Sequence, residues 1–387
     1  MPLLTGYILS GGEAILWLMK IEECGNRLSA GELPLFFDGE TVAARAFGLM
    51  AFSSNLILYL PAKWYASGTT LHLAAVWWCA LVQLLSIGTA FLAAGEITHD
   101  RMQRFMVWAL YILSPYHILV SYWKADFAEM WGMAWAPLLI WGILLQKNNR
   151  KTAIRILGYL GAILALSMIA YGNAAVFFLA GFLLLLYCLN HRNWTGLGIL
   201  PVSTILAYQP AAYYLRYVLK GGMEIYGIPN LLIQQSGYHF GQFFTSFDAR
   251  YFYPGLGIAL ILGLILGLYR IVLEGKGRRN LIAQGILWAV FLFLSSTTFP
   301  WNRIQSLGEP IYRLIATLES PVLFMSLATM TGCLFTTYTM DFLREGAGEK
   351  KNLLHFMPMG VLIAAIFNGL YLCNHLVYTM EPSFYGR

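Results

Sequence analysis

SGGEAILWLMKIEECGNRLSAGELP, residues 10–34, is the stretch around which the rest of the chain is arranged, because it is densely charged in a very apolar sequence. Wound as a helix, it places Ala14, Trp17, Leu18, Ile21, Cys24 and Leu28 on one stripe. Glu13, Lys20 and Arg27 recur at heptad spacing on another, and Glu23 is placed to pair with Arg27 four residues on. A helix of this kind is too polar to cross a bilayer and is expected to lie on its surface, with the acid Glu13 at its start.

The remainder of the chain supplies the bilayer. Of its 387 residues, 58% are hydrophobic and 11% charged, with a mean hydropathy of +0.62. A soluble domain carries charge on about a quarter of its residues, so the sequence reads as an all-α, polytopic, multi-pass protein of the cell membrane. The net charge of +6 comes from short basic clusters between apolar runs, a pattern that membrane topology explains, and nucleic acid is set aside as a partner. The five cysteines are dispersed, without a CxxC pair or metal-like spacing, and the histidines show no HxxxH or HExxH pattern. The N-terminus lacks the basic region and the apolar length of a cleavable signal.

Ten apolar runs, near 69–95, 104–122, 127–146, 153–171, 173–190, 195–217, 251–273, 281–298, 312–338 and 353–378, approach the roughly 20 residues that a spanning helix needs. Lys147 to Lys151, His191 with Arg192, Lys276 to Arg279, and Arg344 to Lys351 fall at alternate connections, as cytoplasmic loops should. An eleventh run, 43–65, contains Ser53, Ser54, Asn55, Pro61 and Lys63 and reads as a re-entrant segment rather than a span. The expected organisation is one transmembrane domain over 1–387. Residues 1–68 form an outer loop with the amphipathic helix and the re-entrant segment, 69–378 form the bundle, and 218–250 form a long outer loop.

The outer side also carries Lys63, Lys124, Lys220, Arg250, Arg303 and Arg313, which the orientation rule does not require. They suit an anionic ligand, or equally pair with Asp126, Glu129, Glu224, Asp248 and Glu309. Tyr122-Trp-Lys124-Ala-Asp126-Phe-Ala-Glu129 has the densest chemistry, since its two carboxylates are three residues apart and share a helix face beside a lysine. Such a cluster can activate a hydroxyl, hold a divalent metal, or form a structural salt bridge with Arg303 or Arg313. Glu319, in Leu318-Glu-Ser-Pro321, is an ionisable group inside a span and marks a site or a buried partner.

Several short blocks occur in an order that resembles one family. Gly11-Gly-Glu13, Lys20-Ile-Glu22 and Gly31-Glu-Leu-Pro34 are similar to the first outer loop of the YfhO-like branch of the GT-C glycosyltransferases. Leu58-Tyr-Leu-Pro61, Ser114-Pro-Tyr116, Asp126-Phe-Ala-Glu129, Phe299-Pro-Trp301 and the span at Pro321 resemble its later blocks. The blocks run from about residue 5 to 340. Gly12-Glu13 stands where the family has His-Asp, and Val322 and Leu323 stand where it has Trp and Arg.

The resemblance implies an enzyme that takes a sugar from a polyprenyl-phosphate carrier and transfers it to an envelope polymer or lipid on the outer face. Glu13, Asp126 and Glu129 would then serve as catalytic carboxylates. Lys124, Trp301, Arg303, Arg313 and Glu319 would contact the lipid-linked donor, and a divalent metal is a possible cofactor. The alternative is a non-catalytic membrane protein of the same architecture that binds or passes a lipid-linked saccharide.

Overall fold

The computed structural model describes residues 14–32, 54–148, 151–190, 193–220, 232–245, 255–272, 278–318, 320–345 and 356–379. Among these, the chain is helical, and strand pairing is confined to an isolated parallel bridge between Tyr238 and Ser296.

The opening stretch forms α1, Ala14–Ser29. Ala14, Trp17, Leu18, Ile21 and Cys24 are all buried, Leu28 is half-buried, and Glu23 meets Arg27 at 3.5 Å, as the spacing predicts. The apolar stripe, however, faces protein rather than lipid. It packs on α2, Tyr59–Ala66, and on α3, Leu71–Ile97. At Gly25 an added Cβ would lie 2.9 Å from the Ala62 carbonyl, so α1 and α2 meet at backbone distance. Of the expected re-entrant segment, the described part is a short turn, Asn55–Leu58, followed by α2; residues 33–53 lie outside the described structure.

Among the described residues, five helices are long and apolar enough to cross a membrane, six if one bent pair counts as a single span, and the ten expected spans are not confirmed. They are α3, then α4 (Arg101–Ile112) with its bent continuation Pro115–Lys124, α6 (Phe127–Asn148), α7 (Thr152–Gly172), the span Pro321–Asp341, and the helix Met357–Thr379. The label α5 is given to Pro115–Ile118, which leads into a π-helical turn at Leu119–Lys124. Their outward faces are strongly apolar: Leu84, Leu160 and Phe367 are each more than half exposed, as lipid-facing side chains are.

Prolines account for most of the difference. Ser114-Pro115 breaks the run 104–122, because proline disfavours α geometry in the residue before it. The run 195–217 falls into α9 (Trp194–Leu197), α10 (Ile199–Leu206) and α11 (Tyr208–Lys220). Pro210 has no N–H to give to the Leu206 carbonyl, which accepts the Tyr171 hydroxyl at 2.9 Å instead. The run 312–338 parts between α14 (Glu309–Ala316) and the turn at Pro321, where Ser320 caps the next helix through Val322 N at 3.2 Å. The helix resuming there is α15, Phe324–Glu345. The expected spans 173–190, 251–273 and 281–298 form apolar helices of 17, 15 and 17 residues, α8 (Ala174–Asn190), α12 (Ile258–Val272) and α13 (Arg278–Leu294).

Proline inside α6 has a different outcome. Pro137 leaves the Met133 carbonyl without its helical donor, and Tyr111 supplies one at 2.6 Å. The next carbonyl, of Ala134, also accepts from Thr89 Oγ1 at 2.7 Å. With its freed group satisfied from α3 and α4, α6 continues unbroken.

α6 and α7 form the tightest pair. A Cβ on Gly142 would stand 2.5 Å from the Gly158 carbonyl, and one on Gly158 would stand 2.7 Å from that of Gly142. Gly142→Val is therefore expected to force the helices apart and to cost about 1–3 kcal/mol. Gly88→Ala, where an added Cβ meets nothing within 4 Å, is expected to gain up to about 1 kcal/mol from helix propensity. Thermal unfolding of the two variants in detergent checks both signs.

Segments assigned to the outside by charge collect at one end of the bundle. Ser54 N donates to Tyr171 O at 3.1 Å, Tyr238 N to Ser295 O at 2.9 Å, and Ser320 Oγ to Ser236 O at 3.1 Å. At the opposite end, Asn148 Nδ2 donates to Glu96 O at 3.2 Å.

Candidate functional site

At the first of these ends, three irregular stretches of backbone meet: the π-turn before α6, the break before Pro321, and the start of α5. Backbone of this kind at membrane depth is tolerated only inside protein or around a polar cavity.

The π-turn ends at Ala125, whose φ of 47° is left-handed and reverses the chain between Lys124 and Asp126. Asp126 then caps α6. Its Oδ1 accepts the backbone N–H of both Ala128 and Glu129 at 3.0 Å. The reversal turns Lys124 back onto both acids, with Nζ 2.8 Å from Asp126 Oδ2 and 3.0 Å from Glu129 Oε2. The Tyr116 hydroxyl lies 2.6 Å from Glu129 Oε1 and 2.9 Å from the Val322 carbonyl, which the break at Pro321 leaves within reach. Asp126 and Glu129 are buried, whereas the Lys124 side chain keeps 27% of its surface accessible.

The sequence reading expected the carboxylates at one mouth beside Lys124, and the geometry brings those three together. The alternative partners do not join them. Arg313 pairs with Glu309 at 2.8 Å on the surface of α14, and Arg303 is exposed. Trp301 is a packing residue, stacked on Phe324 at 5.5 Å, with Nε1 donating to Leu294 O at 2.9 Å. Glu13 and Glu319 lie outside the described residues.

Two members of the cluster were not read as site residues. Tyr116 was quoted only for its block, although Pro115 fixes the turn that aims it at Glu129. Lys20 falls with Glu13 and Arg27 on the second stripe of the helix reading, and it is 1% exposed. It stands three residues from Trp17 and four from Cys24, both on the buried face, and that spacing was the available signal. Its Nζ lies 5.0 Å from the Trp17 ring centroid, and Trp17 stacks at 5.5 Å on Phe127, the residue after Asp126. Burial lowers the Lys20 ammonium to about 7, against the opposing pull of Cys24, Glu23 and Asp126.

A divalent metal does not fit this donor set. The Lys124 ammonium already stands between the two carboxylates, as a cation would, and one Asp126 oxygen is committed to the helix cap. Among the described residues, no group of three or more His, Cys, Asp or Glu side chains converges.

A structural comparison carries the fold assignment. Over 97% of its length, the chain superposes on the Archaeoglobus fulgidus oligosaccharyltransferase, crystallised as a complex with Zn and sulfate, at a TM-score of 0.51 and 13% identity. The chain shares its helical membrane fold with that oligosaccharyltransferase. It spans about half, 50%, of that chain's length. No family model and no curated protein matches the sequence. The fold is the shared feature, and the YfhO-like branch is not supported.

Proposed function

We propose that the chain is a membrane glycosyltransferase that takes a sugar from a polyprenyl-phosphate donor and passes it to a hydroxyl of a cell-envelope polymer or lipid. The observation that carries this reading is the meeting of Glu129, Asp126, Lys124 and Tyr116 where three backbone breaks converge in a GT-C-like fold.

The residues divide the work. Asp126 is held by the helix cap, so Glu129 is the carboxylate left to accept a proton. As the acceptor oxygen bonds to the anomeric carbon, the bond from that carbon to the carrier phosphate breaks. The hydroxyl proton passes to Glu129, and the electron pair leaves with the phosphate. Lys124, partly accessible, swings from the carboxylates to the departing phosphate, where charge develops. That movement removes the cation from Glu129 as it takes up the proton. Arg303 and Arg313, accessible at the surface, meet the donor's headgroup on its way in. Glu13, immediately before α1, remains a second proposed carboxylate.

The test is mass spectrometry of envelope glycans and lipid-linked sugars in cells with the gene, without it, and carrying Glu129→Gln. Deletion and Glu129→Gln are expected to remove the same glycan. A glycan that disappears on deletion but persists in Glu129→Gln cells would point to a binding or passing role instead.

A further inference from the structure

A buried glutamine near the middle of a membrane-spanning helix is costly unless another element takes up its amide. Gln83 stands there on α3 and is 9% exposed. Both ends of the amide are used: Nε2 donates to Ser121 Oγ, and Oε1 lies 3.2 Å from His117 Nε2. With the amide oxygen turned toward it, the His117 ring carries its hydrogen on Nε2. Its other nitrogen, Nδ1, is buried and has no hydrogen-bond partner among the described residues, so the ring is oriented by Gln83 and by the edge contact with Tyr111 at 5.2 Å.

The two groups that Gln83 holds straddle the entry to the π-turn, His117 on α5 and Ser121 inside the turn. The residue before His117 is Tyr116, which bonds Glu129, and three residues beyond Ser121 the turn ends at Lys124, which bonds both acids. Site residues thus lie on either side of the pinned segment. A π-turn closes its hydrogen bonds five residues apart instead of four and is rare for that reason. Relaxation by one residue into α geometry would swing the side chains beyond it by about 100° around the axis. Lys124, the last of the turn, would then face away from the carboxylates.

We infer that Gln83 is a positioning residue of the site: by pinning His117 and Ser121 to α3, it holds the π-turn that delivers Lys124 to Asp126 and Glu129. The role of Lys124 toward a lipid phosphate rests on the glycosyltransferase reading, whereas the pinning of the turn does not. With the amide gone, the turn loosens and Lys124 spends more of its time away from the acids.

The test acetylates the lysines of the purified full chain in detergent with an N-hydroxysuccinimide ester and follows each by peptide mass spectrometry. An amine held as an ammonium by two carboxylates reacts slowly. In Gln83→Met, the Lys124 rate is expected to rise about fivefold, the weight of one buried hydrogen bond, with the exposed Lys63 and Lys147 unchanged. Ser121→Ala removes only the hydroxyl that Gln83 grips and is expected to do the same; it carries the test if Gln83→Met does not fold. The double variant is expected to go no further than either single one, since both break one contact. Ser86→Ala, one turn along α3 and without a hydrogen-bond partner for its Oγ among the described residues, is expected to match wild type. An unchanged Lys124 rate in either folded variant, additive rises in the double variant, or a rise shared by all three lysines overturns the inference. The glycosyltransferase reading fails separately, if deletion of the gene leaves every glycan and lipid-linked sugar unchanged.

Discussion

Lys124→Met is expected to be the most damaging single substitution in the described structure, lowering stability by about 3–5 kcal/mol. Its ammonium is bonded to Asp126 at 2.8 Å and Glu129 at 3.0 Å, and the two carboxyl side chains retain 10% and 3% of their surface. Removing the cation leaves two like charges facing each other out of water, and the loss is their desolvation and repulsion rather than one missing ion pair. The reasoning carries its own control. Lys124→Met combined with Asp126→Asn and Glu129→Gln removes the stranded charges together with their partner and is expected to recover most of the melting temperature. Unfolding in detergent, followed by the fraction that elutes as a monodisperse peak, separates the variants. A triple variant as unstable as Lys124→Met would mean that the lysine acts through packing of its stem.

Glu129→Gln is expected to lower glycosyl transfer by about 10²–10⁴-fold, the range in which a general base contributes, while leaving the melting temperature almost unchanged. The amide oxygen still accepts from Lys124 or from Tyr116, so the hydrogen-bonded frame persists while the basic oxygen is lost. Asp126→Asn makes the contrast. Asparagine caps helices as well as aspartate, so Ala128 and Glu129 keep their acceptor. Because Asp126 holds the frame rather than taking the proton, its variant is expected to lose less transfer than Glu129→Gln. Quantifying the dependent glycan in complemented cells ranks the two, and the reverse order would exchange their roles.

How much of this was legible in the sequence differs element by element. The stripe of α1 and the Glu23–Arg27 pair follow from 3.6-residue periodicity, which local geometry fixes. What that stripe packs against does not. An apolar face turned to lipid and one turned to Trp78 and Phe127 have the same pattern, because hydrocarbon and protein interior are equally dry. The spacing of Lys20 from Trp17 and Cys24 places it at the edge of that face, and its burial depends on the neighbours that pack there. Ten apolar runs were read as ten spans because hydropathy averages across a break. Pro115, Pro210 and Pro321 were present as break signals, whereas Pro137 is the same signal without a break, rescued by Tyr111. The Lys124, Asp126 and Glu129 grouping was visible because all three fall within six residues. Tyr116 bonds across 206 residues to Val322, and single-sequence spacing has no access to that distance.

The glycine contact between α6 and α7 divides the site into a stator and a moving part. Gly142 against Gly158 near one end, and Gly172 against Trp131 and the Ala128 carbonyl near the other, close the seam between the helices over about 20 Å. Two backbones in direct contact have no side-chain layer to slide on, so α6 and α7 shift only as a unit. Asp126 and Glu129 ride on that unit. If the proposed lipid-linked donor binds beside them, room for its headgroup would have to come from the facing side, at the broken helix before Pro321. On that reading the carboxylates would hold their position and the wall opposite them would yield.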